Sequence, residues 1–275
     1  MSRRYVMVLL RKDYHARENF NHKGRKAHKE KTLCSLWPLW CSFGCGQSRV
    51  TLLLLISVCL LITPIFSQTK KSPNLKGWGD VTDPDGDCKI QIKKSKLLIT
   101  VPGTLHDLNP RNNKINAPLV LQEIEGDFSV QVKISGDFQP GEKSTAPNSP
   151  PFNGAGLLLW QDDKNYLRLE RNVWFGSDGK YTCHPPLFEQ CRNGEYTNHN
   201  PTTTTEPFFK RSTCLRFERR GEKITAALSH DGKIWTTVKE IAAEYSPKVK
   251  VGVDAINTSA KPFTVEFAEF KLLKS

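Results

Sequence analysis

Gly154-Ala-Gly-Leu-Leu-Leu-Trp-Gln-Asp-Asp-Lys-Asn-Tyr-Leu-Arg-Leu-Glu-Arg171 decides how this chain is built. Ala155–Gln161 and Tyr166–Arg171 are short, largely apolar runs on either side of Asp162-Asp-Lys-Asn165. Asp and Asn favour tight turns because their side chains bond nearby backbone N–H groups, so the stretch reads as strand, turn, strand. In the second run Leu167 and Leu169 share one face, and Tyr166, Arg168 and Glu170 share the other. That period of two marks a strand with one buried face.

The same pattern extends in both directions. Lys89–Ile92 and Lys96–Val101 form a hairpin about Lys93-Lys94-Ser95, and Pro118–Ile124 and Phe128–Ser135 form another about Glu125-Gly126-Asp127. Phe128, Val130, Val132 and Ile134 share one face, and Ser129, Gln131 and Lys133 the other. Thr213–Arg219, Lys223–Ser229, Ile234–Ile241, Lys248–Asn257 and Phe263–Leu272 complete the strands. Gln139–Asn153 reads as a long loop, and Gly176–Phe208 as an irregular insertion. No helical period exceeds Glu240–Tyr245. About a dozen short strands imply an all-β fold of two packed antiparallel sheets, with a barrel as the alternative.

The 275-residue chain has a formal charge of +12, unevenly spread. Residues 1–49 hold eleven Lys and Arg against three Asp and Glu, a net +8. Val50–Phe66 follows with no charge at all. A basic flank beside an apolar run is retained on the cytoplasmic side, so the charge points to membrane insertion and not to nucleic acid. The expected organisation is a basic cytoplasmic leader (1–49), a hydrophobic helix acting as transmembrane or signal segment (50–67), a linker (68–76) and one β domain (77–275). That domain lies outside the cytoplasm, anchored at the cell membrane or secreted after cleavage.

Cys88, Cys183, Cys191 and Cys214 follow the apolar run. Four cysteines allow three pairings; the short loop between Cys183 and Cys191 favours that pair, with Cys88–Cys214 following. No Cys-x-x-Cys pair is present, and His184 and His199 are isolated, so no zinc site is expected. Asp83-Pro-Asp-Gly-Asp87 has the look of a calcium loop but lacks the distal Glu, and reads as a turn. No metal or cofactor is expected.

Gly77-Trp-Gly-Asp80, Asn116-Ala-Pro-Leu-Val-Leu-Gln122, Gly126-Asp-Phe128, Gly154–Arg171 and Ser229-His-Asp-Gly-Lys-Ile-Trp235 occur in this order. Together they resemble a bacterial concanavalin A-like domain family of unknown function, over nearly all of Gly77–Leu272. The resemblance implies a lectin/glucanase-type jelly-roll sandwich with a curved front sheet, a flatter back sheet and rim loops. It implies no settled activity.

Arg168, Glu170, Arg216 and Glu218, with Gln131 and Lys133, are expected on one solvent-side face, with Trp160, Tyr166 and Trp174 able to stack on a sugar ring. Cross-strand ion pairing is the plainer reading of the charges. Ser229–Trp235 reads as a structural turn about Asp231-Gly232. Glu123 and Glu125 share one parity but make no complete catalytic pair, since Gly126-Asp127 breaks the strand at once. The expectation is a non-catalytic module binding polysaccharide or glycan at the cell envelope. The alternatives are a glucanase-type glycoside hydrolase or lyase, and a structural envelope protein binding another protein.

Overall fold

Alternating apolar side chains need a second apolar surface to cover them, and in the computed structural model two sheets supply it to each other. The structure describes residues 73–110, 114–183, 186–200, 212–242 and 244–275. The leader, the apolar run Val50–Phe66 with its expected helix, and most of the linker lie outside the described residues. No helix among the described residues is long and apolar enough to cross a membrane.

The strands are β1 (Asn74–Leu75), β2 (Gly79–Thr82), β3 (Lys89–Lys93), β4 (Lys96–Val101), β5 (Leu108–Asn109) and β6 (Lys114–Ile115). Next come β7 (Leu119–Glu125), β8 (Phe128–Gly136), β9 (Phe152–Asp162), β10 (Asn165–Phe175), β11 (Tyr181–Thr182) and β12 (Leu187–Arg192). The last are β13 (Glu195–Asn198), β14 (Ser212–Arg220), β15 (Lys223–Ser229), β16 (Thr236–Ala242), β17 (Lys248–Asn257) and β18 (Phe263–Lys274).

Sheet A runs β1-β2-β7-β17-β9-β10-β12-β13, with β11 on β10; sheet B runs β16-β15-β14-β8-β18-β4-β3; β5 and β6 form a separate ribbon. Every pairing is antiparallel. The fold is thus an all-β antiparallel sandwich. Phe128, Val130, Val132 and Ile134 on β8 meet Leu157, Leu159, Val251 and Val253 of sheet A in one buried core. Each such side chain contributes roughly 1.5–3 kcal/mol by leaving water.

A second apolar cluster lies on the outer face of sheet A. Leu108 and Ala117 cover Leu119, Leu121, Leu158, Tyr166 and Cys191 there. Sheet A is therefore buried on both sides over part of its area, which explains why β9 and β10 are so apolar.

Two expectations are corrected. Gly176–Phe208 is not irregular throughout: it contributes β11, β12 and β13, which extend sheet A. The cysteines are unpaired, all four being free thiols. Cys183 packs against the inter-sheet core while Cys191 belongs to the outer cluster, so sheet A separates them. Cys88 likewise packs on the core side. Cys214 has the outward parity of β14, opposite to the core residues Leu215 and Phe217.

Candidate binding site on the outer face of sheet A

The site begins with a glycine between two acids. Gly156 on β9 pairs with Asp254 of β17 on one side and Glu170 of β10 on the other. With no side chain between them, the two carboxyl groups meet across the central strand. A Cβ at Gly156 would lie 2.0 Å from Leu169 O and 2.6 Å from Glu170 Cα, so only glycine fits. Both acids are completely buried. Glu170 Oε2 and both Asp254 carboxyl oxygens have no other side-chain donor within reach, so a proton shared between the two carboxyls is the donor this pair can supply itself. Burial pushes Glu170 well above the usual carboxylate range; Arg168 opposes this and Asp254 adds to it. Burial also raises Asp254.

Arg168 lies beside the pair. Its Nη1 is 3.4 Å from Glu170 Oε1, and its Nε and Nη2 donate to Glu189 Oε2 at 3.1 and 2.6 Å. Burial disfavours its charge, but Glu170, Tyr196 and Glu189 more than offset that and keep it protonated. Its guanidinium carbon sits 5.4 Å from the centre of the Tyr196 ring.

Above this floor opens a cavity of about 200 Å³. Arg168 and Glu189 line it beside the Phe152 and Trp174 rings, whose centroids are 4.6 Å apart. Asp107, Tyr196 and Asn198 form one wall, and residues 146–150 contribute the other. The Asp107 wall is braced: Asn116 Oδ1 accepts from Asp107 N–H at 3.0 Å, while its Nδ2 donates to Leu105 O and Asp85 Oδ2. Leu108 O accepts from the hydroxyls of both Tyr166 and Tyr196. On the other side Thr145 N–H donates to Thr258 O at 2.8 Å and Ala260 N–H to Lys143 O at 2.9 Å, tying down the long loop.

The expected platform is split between the two sheets. Trp160, Tyr166, Arg168, Glu170 and Trp174 all project from the outer face of sheet A. Arg216 and Glu218 stand on β14 in sheet B, where Arg216 Nη2 donates to Gln131 Oε1 at 2.9 Å. One-face grouping fails because outward parity does not say which sheet a strand joins. Of the aromatic candidates only Trp174 lines the cavity. Tyr166 is fully buried, stacked on Trp160 with centroids 5.3 Å apart.

Asp107, Glu189, Tyr196, Asn198 and Asp254 do not stand out in the sequence. For Glu189, Tyr196 and Asn198 a signal exists: Asn193-Gly194, with both residues at positive φ (51° and 83°), is a two-residue hairpin turn joining β12 to β13.

The other motifs take structural parts. Asp231 Oδ1 accepts from the N–H groups of Lys233 and Ile234 at 2.8 and 3.0 Å. Those bonds hold its carboxyl down at about 2. Ser229 Oγ accepts from Gly232 N–H, closing the turn. Asp83 accepts from Gly86 and Cys88 N–H groups, as a turn requires, and Asp87 Oδ1 lies 2.9 Å from His106 Nε2. Glu123 is exposed and pairs with Lys248 at 2.9 Å.

Comparison with known proteins gives a family match and a solved structure of similar fold. The family model described as protein of unknown function (DUF1349) matches residues 104–275. No curated protein matches the chain. A functionally unknown protein from Saccharomyces cerevisiae aligns over 74% of this chain and 99% of its own, with TM-score 0.56 and 17% identity. The carbohydrate binding module CBM66 from Bacillus subtilis aligns over 74% and 100%, with TM-score 0.45 and 15% identity. The GH43 protein BlXynB from Bacillus licheniformis aligns over 68% of this chain but only 38% of its own, with TM-score 0.46 and 16% identity.

Proposed function

This chain belongs to the DUF1349 family, whose function is unknown, and from that premise we propose that it is a non-catalytic carbohydrate-binding module whose ligand sits in the cavity over Arg168. One observation carries the reading: a half-enclosed cavity where the Phe152–Trp174 ring pair adjoins fixed polar groups. A sugar ring has apolar C–H faces and polar edges, so it suits an aromatic surface with hydrogen-bonding groups beside it. Glu170 and Asp254 lie sealed beneath the floor, where neither can reach a glycosidic oxygen, so the carboxyl pair serves the architecture of the site.

The sandwich, in this proposal, is a concanavalin A-like jelly roll with sheet A as its concave sheet. Val50–Phe66 delivers residues 77–275 out of the cytoplasm and associates with the membrane. A glycan array probed with the full chain tests the binding claim. Trp174→Ala and Asn198→Ala are expected to weaken every positive signal at least tenfold; an array without a hit sinks the proposal. Digestion of the β domain by protease added to intact cells tests the export claim, and full protection would refute it.

A further inference from the structure

The cavity is too small and too enclosed for the middle of a chain. Its volume of about 200 Å³ falls below the roughly 300 Å³ at which ordinary small-molecule pockets begin, room for one sugar ring. Its surroundings also close one direction along the strands. Along the strands in one direction, Leu108 and Ala117 lie directly on Leu158 and Tyr166, leaving the outer face of sheet A covered. Leu108 O is held there by the hydroxyls of Tyr166 and Tyr196.

The opposite side leads outward. A larger, open groove of about 950 Å³ lies there, lined by Phe175, Gly176 and Ser177 among others. It shares Ala146, Ser149 and Pro150 with the cavity, so this loop is the sill between the two.

The charge of the cavity is as restrictive as its shape. Among the described residues Arg168 is its one cationic lining group, and Glu189 and Glu170 already occupy the guanidinium. Asp107 and Glu189 add two acidic groups to the lining. An anionic sugar would meet two acidic groups and, among the described lining residues, no second cation, whereas hydroxyl groups can donate to carboxylates.

We propose that the cavity takes the terminal residue of an uncharged glycan end-on, the chain leaving over the Ala146–Pro150 sill into the open groove. The proposal rests on the carbohydrate reading above and deepens it. The test uses the full chain with neutral glycans that bind it, the methyl glycosides of their component sugars, oligosaccharides of two to six rings, and uronate oligosaccharides. One methyl glycoside is expected to compete with its parent polysaccharide within about tenfold of the best oligosaccharide. Uronates are expected to bind at least tenfold more weakly. Ser177→Trp, which places a bulky ring in the open groove beyond the sill, is expected to weaken oligosaccharides at least fivefold while leaving the methyl glycoside within twofold. Affinity that keeps rising through four or more rings, with no competition by any single ring, would overturn end-on binding yet leave a carbohydrate module. Preferential binding of uronates would overturn the charge argument. Failure of every glycan would remove the carbohydrate reading itself, and this inference with it.

Discussion

Arg168-Leu-Glu170 on β10 and Arg216-Phe-Glu218 on β14 are the same local pattern: an apolar residue pointing into the core between two charged residues pointing away from it. Their surroundings differ completely. The Arg168 and Glu170 side chains are 6% and 0% exposed, whereas those of Arg216 and Glu218 are 23% and 38% exposed. On sheet A the outward face is covered by Leu108, Ala117 and the hydrogen-bonded loops, and its charges must satisfy one another. On sheet B the outward face remains open, and its ion pairs lie partly in water. What turns an alternating strand into a site is the segment laid over it, supplied from far away in sequence.

The sharpest way to break this contrast is to delete the cation on each sheet. Arg168→Ala leaves Glu189 and Asp107 without their buried counter-charge and takes a donor from Glu170, and removing one partner of a buried pair costs about 3–5 kcal/mol. Urea unfolding should show that loss, together with disappearance of glycan binding. A loss below about 1 kcal/mol would mean that the covered face is as well hydrated as the open one.

Gly156→Ala attacks the same face without changing charge. The added methyl meets the Leu169 carbonyl and Glu170 Cα within 2.6 Å. Overpacking of this kind costs about 1–3 kcal/mol, and it would push Glu170 away from Asp254. The midpoint of thermal unfolding should fall, while Gly221→Ala, with nothing within 4 Å of its Cβ but a φ of +57°, should bring only the cost of that turn conformation.

Glu170→Gln should have a smaller effect with a diagnostic pH dependence. In the folded protein burial pushes Glu170 well above the usual carboxylate range beside Asp254, with Arg168 and Glu189 the other charged groups acting on it. An unfolded Glu releases its proton near about 4.3. The stabilisation from this raised group is therefore complete below that pH and is lost as pH rises towards its folded value. The slope is about 1.4 kcal/mol per pH unit for one proton. The Gln variant keeps a donor for Asp254 but cannot ionise. Unfolding free energy measured from pH 5 to pH 8 should decline less steeply in the variant than in the parent. Parallel curves would mean that Glu170 is ionised in the folded state.

Much of the fold was legible because period-two alternation is a property of single strands. Lys96–Val101, Lys223–Ser229 and Lys248–Asn257 fall where the pattern puts them, and most others differ by a few residues at their ends. Of the strands that the pattern does not reveal, β1, β2, β5, β6, β11 and β13 have two to four residues each, too few to show a period, and the six-residue β12, Leu187-Phe-Glu-Gln-Cys-Arg192, does not alternate apolar with polar. The site was half legible. Arg168 and Trp174 carry outward parity in a long strand. Asp254 does not stand out in an apolar run, and its role comes from meeting Glu170 across Gly156, which no local pattern reveals. The disulfide expectation failed for a related reason: the eight-residue step from Cys183 to Cys191 says nothing about which face of a sheet each thiol takes.

Arg216→Ala should produce the smallest effect and complete the comparison. Its guanidinium lies 3.7 Å from the Trp235 ring centre, 3.6 Å from Glu218 Oε1 and within hydrogen-bond reach of Gln131. Water reaches this face, so a partly exposed pair contributes about 0–1 kcal/mol and the stacking about 0.5–1 kcal/mol. Removing the side chain leaves no sealed carboxylate behind, because Glu218 can turn to solvent. Denaturant unfolding should register about 1 kcal/mol, and glycan affinity should stay within twofold of the parent. If this variant instead lost binding as fully as Arg168→Ala, the ligand would be held by both sheets, and the covered face of sheet A could not be the whole site.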